Sequence, residues 1–255
     1  TKRDGEGYIP SDQLYVLSPD SQKINFKKAK RFTRSEMMVM EMLSTNEWQR
    51  PIYFAVTIGS DYHLGLDPYL ELTGLAYRIT PERSQDGRPR VNTEVMYDNM
   101  LHKFKYGNMN IPGIYIDENT MRMCRTHRMM FMELVEALYN EGKHDKCLET
   151  LDFAEKMLPG YNIPYDYTSA TMASYYYQLG EKEKGNAIMT KVADNCAEYL
   201  AWGASLDKEH RASSQSTTGH YMAVMGYVLQ NFERYQQKEL FNHYYDIYVQ
   251  YASMR

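Results

Sequence analysis

Residues 131–159 read FMELVEALYNEGKHDKCLETLDFAEKMLP, and two helices joined by a turn at Gly142 account for this spacing. Leu134, Val135 and Leu138 recur at intervals of three and four and so share one helical face. Cys147, Leu151 and Ala154 do the same after the turn. Small residues such as Cys147 and Ala154 let two helix backbones approach, while the large ones fill the space between them. Pro159 closes the unit, because proline cannot continue a helix. One hairpin of this kind cannot bury its own apolar face, so neighbours must stack against it.

The alternation of large and small apolar residues along two antiparallel helices resembles the tetratricopeptide repeat. In a second copy Met172, Ala173 and Tyr176 precede Gly180, which stands 38 positions after Gly142, and Met189 and Val192 take the places of Leu151 and Ala154. A third copy runs from Ala223, Val224 and Tyr227, through a turn near Asn231, to Leu240, with Gln236 where a small residue is expected. Residues 111–255 are therefore read as three tetratricopeptide-like helical hairpins. The alternative is an irregular helical bundle with the same local chemistry and no binding groove.

Nothing in the formal charge of −4 over 255 residues suggests a nucleic-acid binder, which would normally show a clustered basic excess. No apolar run approaches the roughly 18 residues of a membrane span. Cys124 with His127, and His144 with Cys147, could each place a thiolate beside an imidazole, but no Cys-x-x-Cys knuckle accompanies them. The cysteines read as small core residues, and neither a metal nor a cofactor is expected. The 24 tyrosines and 18 methionines suit helices packed on one face and presenting a docking surface on the other. The chain opens without Met inside a polar stretch and reads as part of something longer.

Residues 1–110 are expected to form a small mixed α/β portion, making the chain α+β and mostly α. Residues 1–22 hold Gly5, Gly7, Pro10 and Pro19 and read as extended, with a short strand over 13–17. Six cations and no acid fall in 23–34, suiting either a solvated surface or anionic lipid head groups. Thr33 and Glu36 have capping-box spacing before a helix with Met37, Met40 and Leu43 apolar, ending near Asn46. Residues 52–58 read as a buried strand and 70–79 as a second one, interrupted by Gly74. Asn92 should cap a helix over 93–104. Residues 207–219 read as a mobile loop.

Between the two strands Asp61, His63 and Asp67 could in principle supply a general base or ligate a metal, but their spacing matches no ligand motif. Capping of turns is the expected role of the two aspartates. No Gly-rich phosphate loop, nucleophile elbow or His-Glu-x-x-His is present, so no enzymatic activity is expected of this chain.

Four stretches resemble one family: WQRPIYF at 48–54, GLDPYLELTGLAYR at 65–78, RVNTEVMYDNMLHKFK at 90–105, and residues 112–123. They are similar to the large multi-pass membrane proteins of Bacteroidetes that are grouped with protein O-mannosyltransferase-like, GT-C type glycosyltransferases and whose function is unknown. The resemblance implies a membrane-helix block preceding a soluble, extracytoplasmic region, of which this chain is the last part. The resemblance also implies that the catalytic carboxylate of such enzymes lies on an extracytoplasmic loop near the first membrane helices, so no catalytic residue is carried over onto this chain.

The function expected from residues and resemblance together is that of a non-catalytic accessory domain holding a protein acceptor or partner subunit through its repeat surface. The alternatives are a carbohydrate-binding or catalysis-contributing domain, with Asp61, His63 and the aromatics Tyr53, Tyr62, Tyr69 and Tyr77 lining the site, and a purely structural brace. The candidate binding residues are Tyr62, His63 and Tyr69 near the strands, and Tyr176 and Tyr227 on the hairpins.

Overall fold

The computed structural model describes residues 5–8 and 13–252. Pro10 and much of the expected extended opening segment lie outside the described residues. The chain is a mostly helical α+β protein, with a small mixed sheet region followed by packed helices, some in antiparallel pairs. It divides into two compact units, Thr1–Phe104 and Lys105–Arg255.

The first unit opens with an antiparallel pair, β1 (Tyr15–Leu17) and β2 (Lys23–Asn25), in which Val16 lies opposite Ile24 and both are buried. Helix α1 (Arg34–Asn46) follows, and the expected capping box is complete: Glu36 N–H donates to Thr33 Oγ1 while Thr33 N–H donates to Glu36 Oε2 at 2.7 Å. Its buried stripe differs from the expected one. Met37 is 59% exposed, whereas Glu36 and Leu43 are buried. Lys27 explains the inversion, because its ammonium lies 2.7 Å from Glu36 Oε1 and so compensates a carboxylate taken out of water. The Lys27 ammonium first, and the Thr33 N–H next, hold the Glu36 carboxyl below its ordinary value.

Two further strands replace the single one expected over 70–79. Gly74 adopts φ +138°, a conformation side chains rarely allow, and the chain reverses there to give β4 (Leu70–Leu72) and β5 (Ala76–Ile79) as an antiparallel pair. With β3 (Tyr53–Ala55) and β6 (Arg90–Val91) they form a sheet of order β3-β5-β4-β6. The expected buried strand over 52–58 is a correction: β3 is three residues long, and within it only Phe54 is buried. As an edge strand it has one neighbour, and alternate side chains face outward. Asn92 Oδ1 accepts from Val95 N–H and starts α2 (Thr93–Asp98), which widens into a π turn over Asn99–Lys103.

The second unit is built from α3 (Glu118–Asn140), α4 (His144–Met157), α5 (Tyr167–Gln178), α6 (Lys182–Ser205), α7 (Lys208–Ser213), α8 (Gln215–Arg234) and α9 (Lys238–Ala252). Helix α3 packs on α4, α5 on α6, and α8 on α9. The three connecting turns share one hydrogen-bond pattern: Lys143 N–H donates to Leu138 O, Glu181 N–H to Tyr176 O, and Gln237 N–H to Phe232 O, at 2.9, 2.8 and 2.7 Å. This is the closure of a helix through one left-handed residue. Gly142 (φ +72°) and Gly180 (φ +87°) supply that residue in the first two turns, and Gln236 (φ +60°) in the third.

The third pair therefore needs a correction of register. Its turn lies at Gln236 and not at Asn231, which is buried inside α8 with its amide donating to Tyr227 O. Val224 faces the interior as expected, with Val228, Leu229 and Phe232, while Ala223 is exposed. The expected loop over 207–219 is also largely helical. Asp207 caps α7 by accepting from His210 N–H, and Arg211 donates to Ala204 O and Leu206 O.

Candidate binding surface

The residues singled out for binding fall into different environments. Tyr62 is 59% exposed on a 3-10 turn, Ser60–Tyr62. His63 next to it is buried, stacked on Phe54 with ring centroids 5.1 Å apart. Its Nδ1 lies 2.8 Å from Asp67 Oδ1, and its buried Nε2 has no hydrogen-bond partner. Asp67 thus orients an imidazole and forms no side-chain cap, and neither does Asp61, whose carbonyl accepts from Lys27. Tyr69 is half-buried beside a cavity of about 630 Å³ that Lys23, Glu82 and Arg83 also line. In the second unit Tyr176 is buried, donating its hydroxyl to Asp152 Oδ1 at 2.9 Å, and burial pushes that hydroxyl up. Tyr227 is half-buried at a cavity of about 490 Å³ shared with Ser174, Gln230, Asn231, Glu233 and Arg234.

Tyr227 belongs to a group that sequence reasoning did not assemble. Tyr139 at the end of α3 meets Tyr175 of α5 edge to face, centroids 5.3 Å apart. Tyr227 of α8 lies 5.1 Å from Tyr167, and Tyr235 stacks on Tyr177 at 4.6 Å. Burial pushes the Tyr175 hydroxyl up to about 12, with Glu136, Tyr227 and Tyr139 among the neighbours that add to the shift. Among the described residues the hydroxyls of Tyr139, Tyr175 and Tyr227 make no hydrogen bond. Half-buried rings with unengaged hydroxyls, contributed by the first helix of each pair, can cover an apolar stem and bond a polar backbone together.

A second polar group holds the connection between α4 and α5. Arg128 is 2% exposed, and its guanidinium donates to Pro164 O at 2.9 Å, Leu158 O at 3.1 Å and Ile163 O at 2.8 Å. Burial pulls its pKa down, while Asp166 and Glu155 hold it up. Glu155 accepts from the Tyr165 hydroxyl at 2.5 Å, and burial pushes its carboxyl up. The signal available in sequence was that Cys124, Arg128, Phe131 and Val135 follow one another at helical intervals, which puts a cation on an apolar stripe.

The two Cys-His pairings do not come together as ligand sets. His127 Nδ1 lies 2.7 Å from Met123 O, and His144 stacks on Tyr139. Burial pushes the Cys147 thiol up to about 11 and that of Cys196 to about 12, which leaves both protonated and unreactive. Among the described residues no group of three His, Cys, Asp or Glu could hold a metal ion. Of the six cations in 23–34, Lys27 pairs with Glu36, Lys23 sits over the Tyr15 ring, and Lys28 and Lys30 sit over Tyr8.

A family model described as TMEM260-associated domain 2 matches residues 6–100. No curated protein sequence and no solved structure matches the chain. The stretches 48–54 and 65–78 lie inside the matched region, whereas 112–123 and the helical pairs lie outside it. No helix among the described residues is long and apolar enough to cross a membrane.

Proposed function

We propose that this chain is a non-catalytic accessory region of a membrane-embedded, glycosyltransferase-like protein, on its extracytoplasmic side. Its second unit holds a segment of an acceptor protein or partner subunit against the tyrosine face of α3, α5 and α8. The match of residues 6–100 supports the parent, since TMEM260 is a membrane protein related to O-mannosyltransferases. The observation that carries the binding role is the set Tyr139, Tyr175 and Tyr227: three partly buried rings from three helices, none with its hydroxyl engaged. Stacked tetratricopeptide-like hairpins bring their first helices side by side, and an extended peptide can lie across such a row.

A photo-crosslinking amino acid at exposed Gln230, in the native full-length product and in living cells, tests this reading. It is expected to join one discrete protein segment, identified by peptide mass mapping, and to lose the adduct in Tyr175→Ala and Tyr227→Ala. The same amino acid at exposed Lys156 on α4 is the control. Adducts that persist in both alanine variants, or that form equally from position 156, would sink the proposal.

A further inference from the structure

The tyrosine face carries a charge arrangement that narrows its occupant. Glu133 and Glu136 stand three positions apart on α3, so their side chains are neighbours on one side of the helix. Neither has an ion-pair partner among the described residues. Glu133 is only partly exposed, and burial, with Glu136 adding, pushes its carboxyl up. Two like charges at this spacing, one of them partly desolvated, oppose folding of the helix that carries them. A cation supplied from outside would remove that conflict.

The aromatic rings lie beside the Glu136 end of this pair. Glu136 is close enough to Tyr175 to add to the rise of its hydroxyl, and Tyr139 follows Glu136 by three positions on α3 while meeting Tyr175 edge to face. Ring faces attract cations, and a planar guanidinium both stacks on tyrosine and bonds a carboxylate with two parallel N–H groups. The outer part of the cluster already shows this chemistry, because the Arg234 guanidinium lies 5.7 Å from the centre of the Tyr235 ring. That contact uses Tyr235; one face of Tyr139 is taken by the stacked His144 imidazole, centroids 5.1 Å apart, and among the described residues no cation is recorded over Tyr175.

We infer that the occupant of this face is a peptide segment bearing an arginine, whose guanidinium is received by the ring of Tyr175 and the carboxylate of Glu136, with the neighbouring Glu133 adding negative charge. This rests on the reading of the face as a protein-holding surface and adds to it the chemistry by which the segment is chosen. The carboxylates supply charge selection, and the Tyr175 ring supplies a flat, partly dry surface on which a hydrated ammonium gains less than a guanidinium.

The test uses the full 255-residue chain and two fluorescein-labelled nonapeptides of Gly, Ser and Ala. One has a central arginine, and its twin has citrulline, which keeps the shape and removes the charge. The arginine peptide is expected to bind at least about tenfold more tightly, with the advantage shrinking as salt is raised. Glu133→Gln with Glu136→Gln should abolish the preference, Tyr175→Phe should retain it, and Tyr175→Ala should lose it; far-UV circular dichroism checks that each variant is folded. Equal binding of the two peptides, or a preference that survives the double glutamine variant, overturns the inference and leaves the protein-holding reading intact. Binding of neither peptide, with crosslinking from position 230 still present, likewise defeats the arginine inference alone. Loss of both signals defeats both.

Discussion

The two units meet the same demand, partners for every buried backbone group, by opposite means. Among the described residues of the first unit no strand exceeds four residues, so much of the satisfaction comes from side chains reaching far along the sequence. Trp48 Nε1 donates to Leu17 O, Lys27 Nζ to Asp61 O, and Asn99 Nδ2 to Thr73 O. In the second unit the helices satisfy themselves, and long-range polar bonds to backbone gather mostly where regularity breaks. Arg128 grips the 158–164 connection, Asn162 donates to Met109 O and Ile111 O, and the Tyr161 hydroxyl donates to Asn110 O. A regular array needs pinning at its interruptions, whereas an irregular one needs it throughout.

If that contrast is right, the costliest single change lies in the second unit. Arg128→Met is expected to lower the unfolding free energy by about 3–5 kcal/mol in urea denaturation, since it strands three carbonyls and leaves Asp166 and Glu155 without their cation. A loss under about 1 kcal/mol would mean that water replaces the guanidinium and that the connection needs no pin.

Close helix approach should come next. A Cβ at Gly185 would meet the Tyr177 ring at 2.8 Å, so Gly185→Ala should cost about 1–3 kcal/mol. In the first unit Gly74→Ala combines the φ of +138° with a 2.9 Å approach to Phe104 and should cost a similar 1–3 kcal/mol or so. Thermal melts of the two variants compare strain in a hairpin with crowding in a helix pair.

The capping box of α1 should contribute less and should depend on pH. Thr33→Ala is expected to cost about 1 kcal/mol near neutrality. Glu36 has a folded pKa below its ordinary 4.5, so its contribution is present above that value and is lost as pH falls through the folded pKa. The stability gap between the native chain and Glu36→Gln should therefore close as acid is added below pH 4.5; a gap that does not change over that range would show that the Lys27 pairing contributes nothing.

The smallest effect distinguishes the three turns. Gln236 occupies the left-handed region at a cost of about 1–2 kcal/mol, and glycine there relieves it while adding about 0.4–1 kcal/mol of unfolded-chain entropy, so Gln236→Gly should stabilise by about 0.5–1 kcal/mol. The converse changes, Gly142→Ala and Gly180→Ala, should each destabilise by about 1 kcal/mol, although a Cβ at either position would meet nothing within 4 Å.

These same turns show what was legible beforehand. Gly142 and Gly180 announced two of them, because only glycine takes the left-handed position without strain. The third was misplaced, since Gln236 carries no such mark and Asn231, a good turn former, is satisfied inside the helix by Tyr227 O. Likewise Thr33 and Glu36 displayed their capping box in the spacing alone, while the burial of Glu36 depended on Lys27, nine positions earlier. Of the proposed binding face, Tyr227 was legible as a helical aromatic. Tyr139 and Tyr175 were not, because what joins them is the packing of α3 against α5.

The sequence by itself determined the marked local terms: the helix starts capped at Thr33 and Asn92, the turns at Gly142 and Gly180, the break at Gly74, and the absence of a motif for chemistry. These depend on residues within a few positions of one another. Tertiary structure alone decided that β3 is an edge strand, that Arg128 is buried among carbonyls from a connection some thirty residues away, and that Tyr139, Tyr175 and Tyr227 come together beside Glu136. Such groupings are set by which helices pack together, and spacing along a chain holds no record of that.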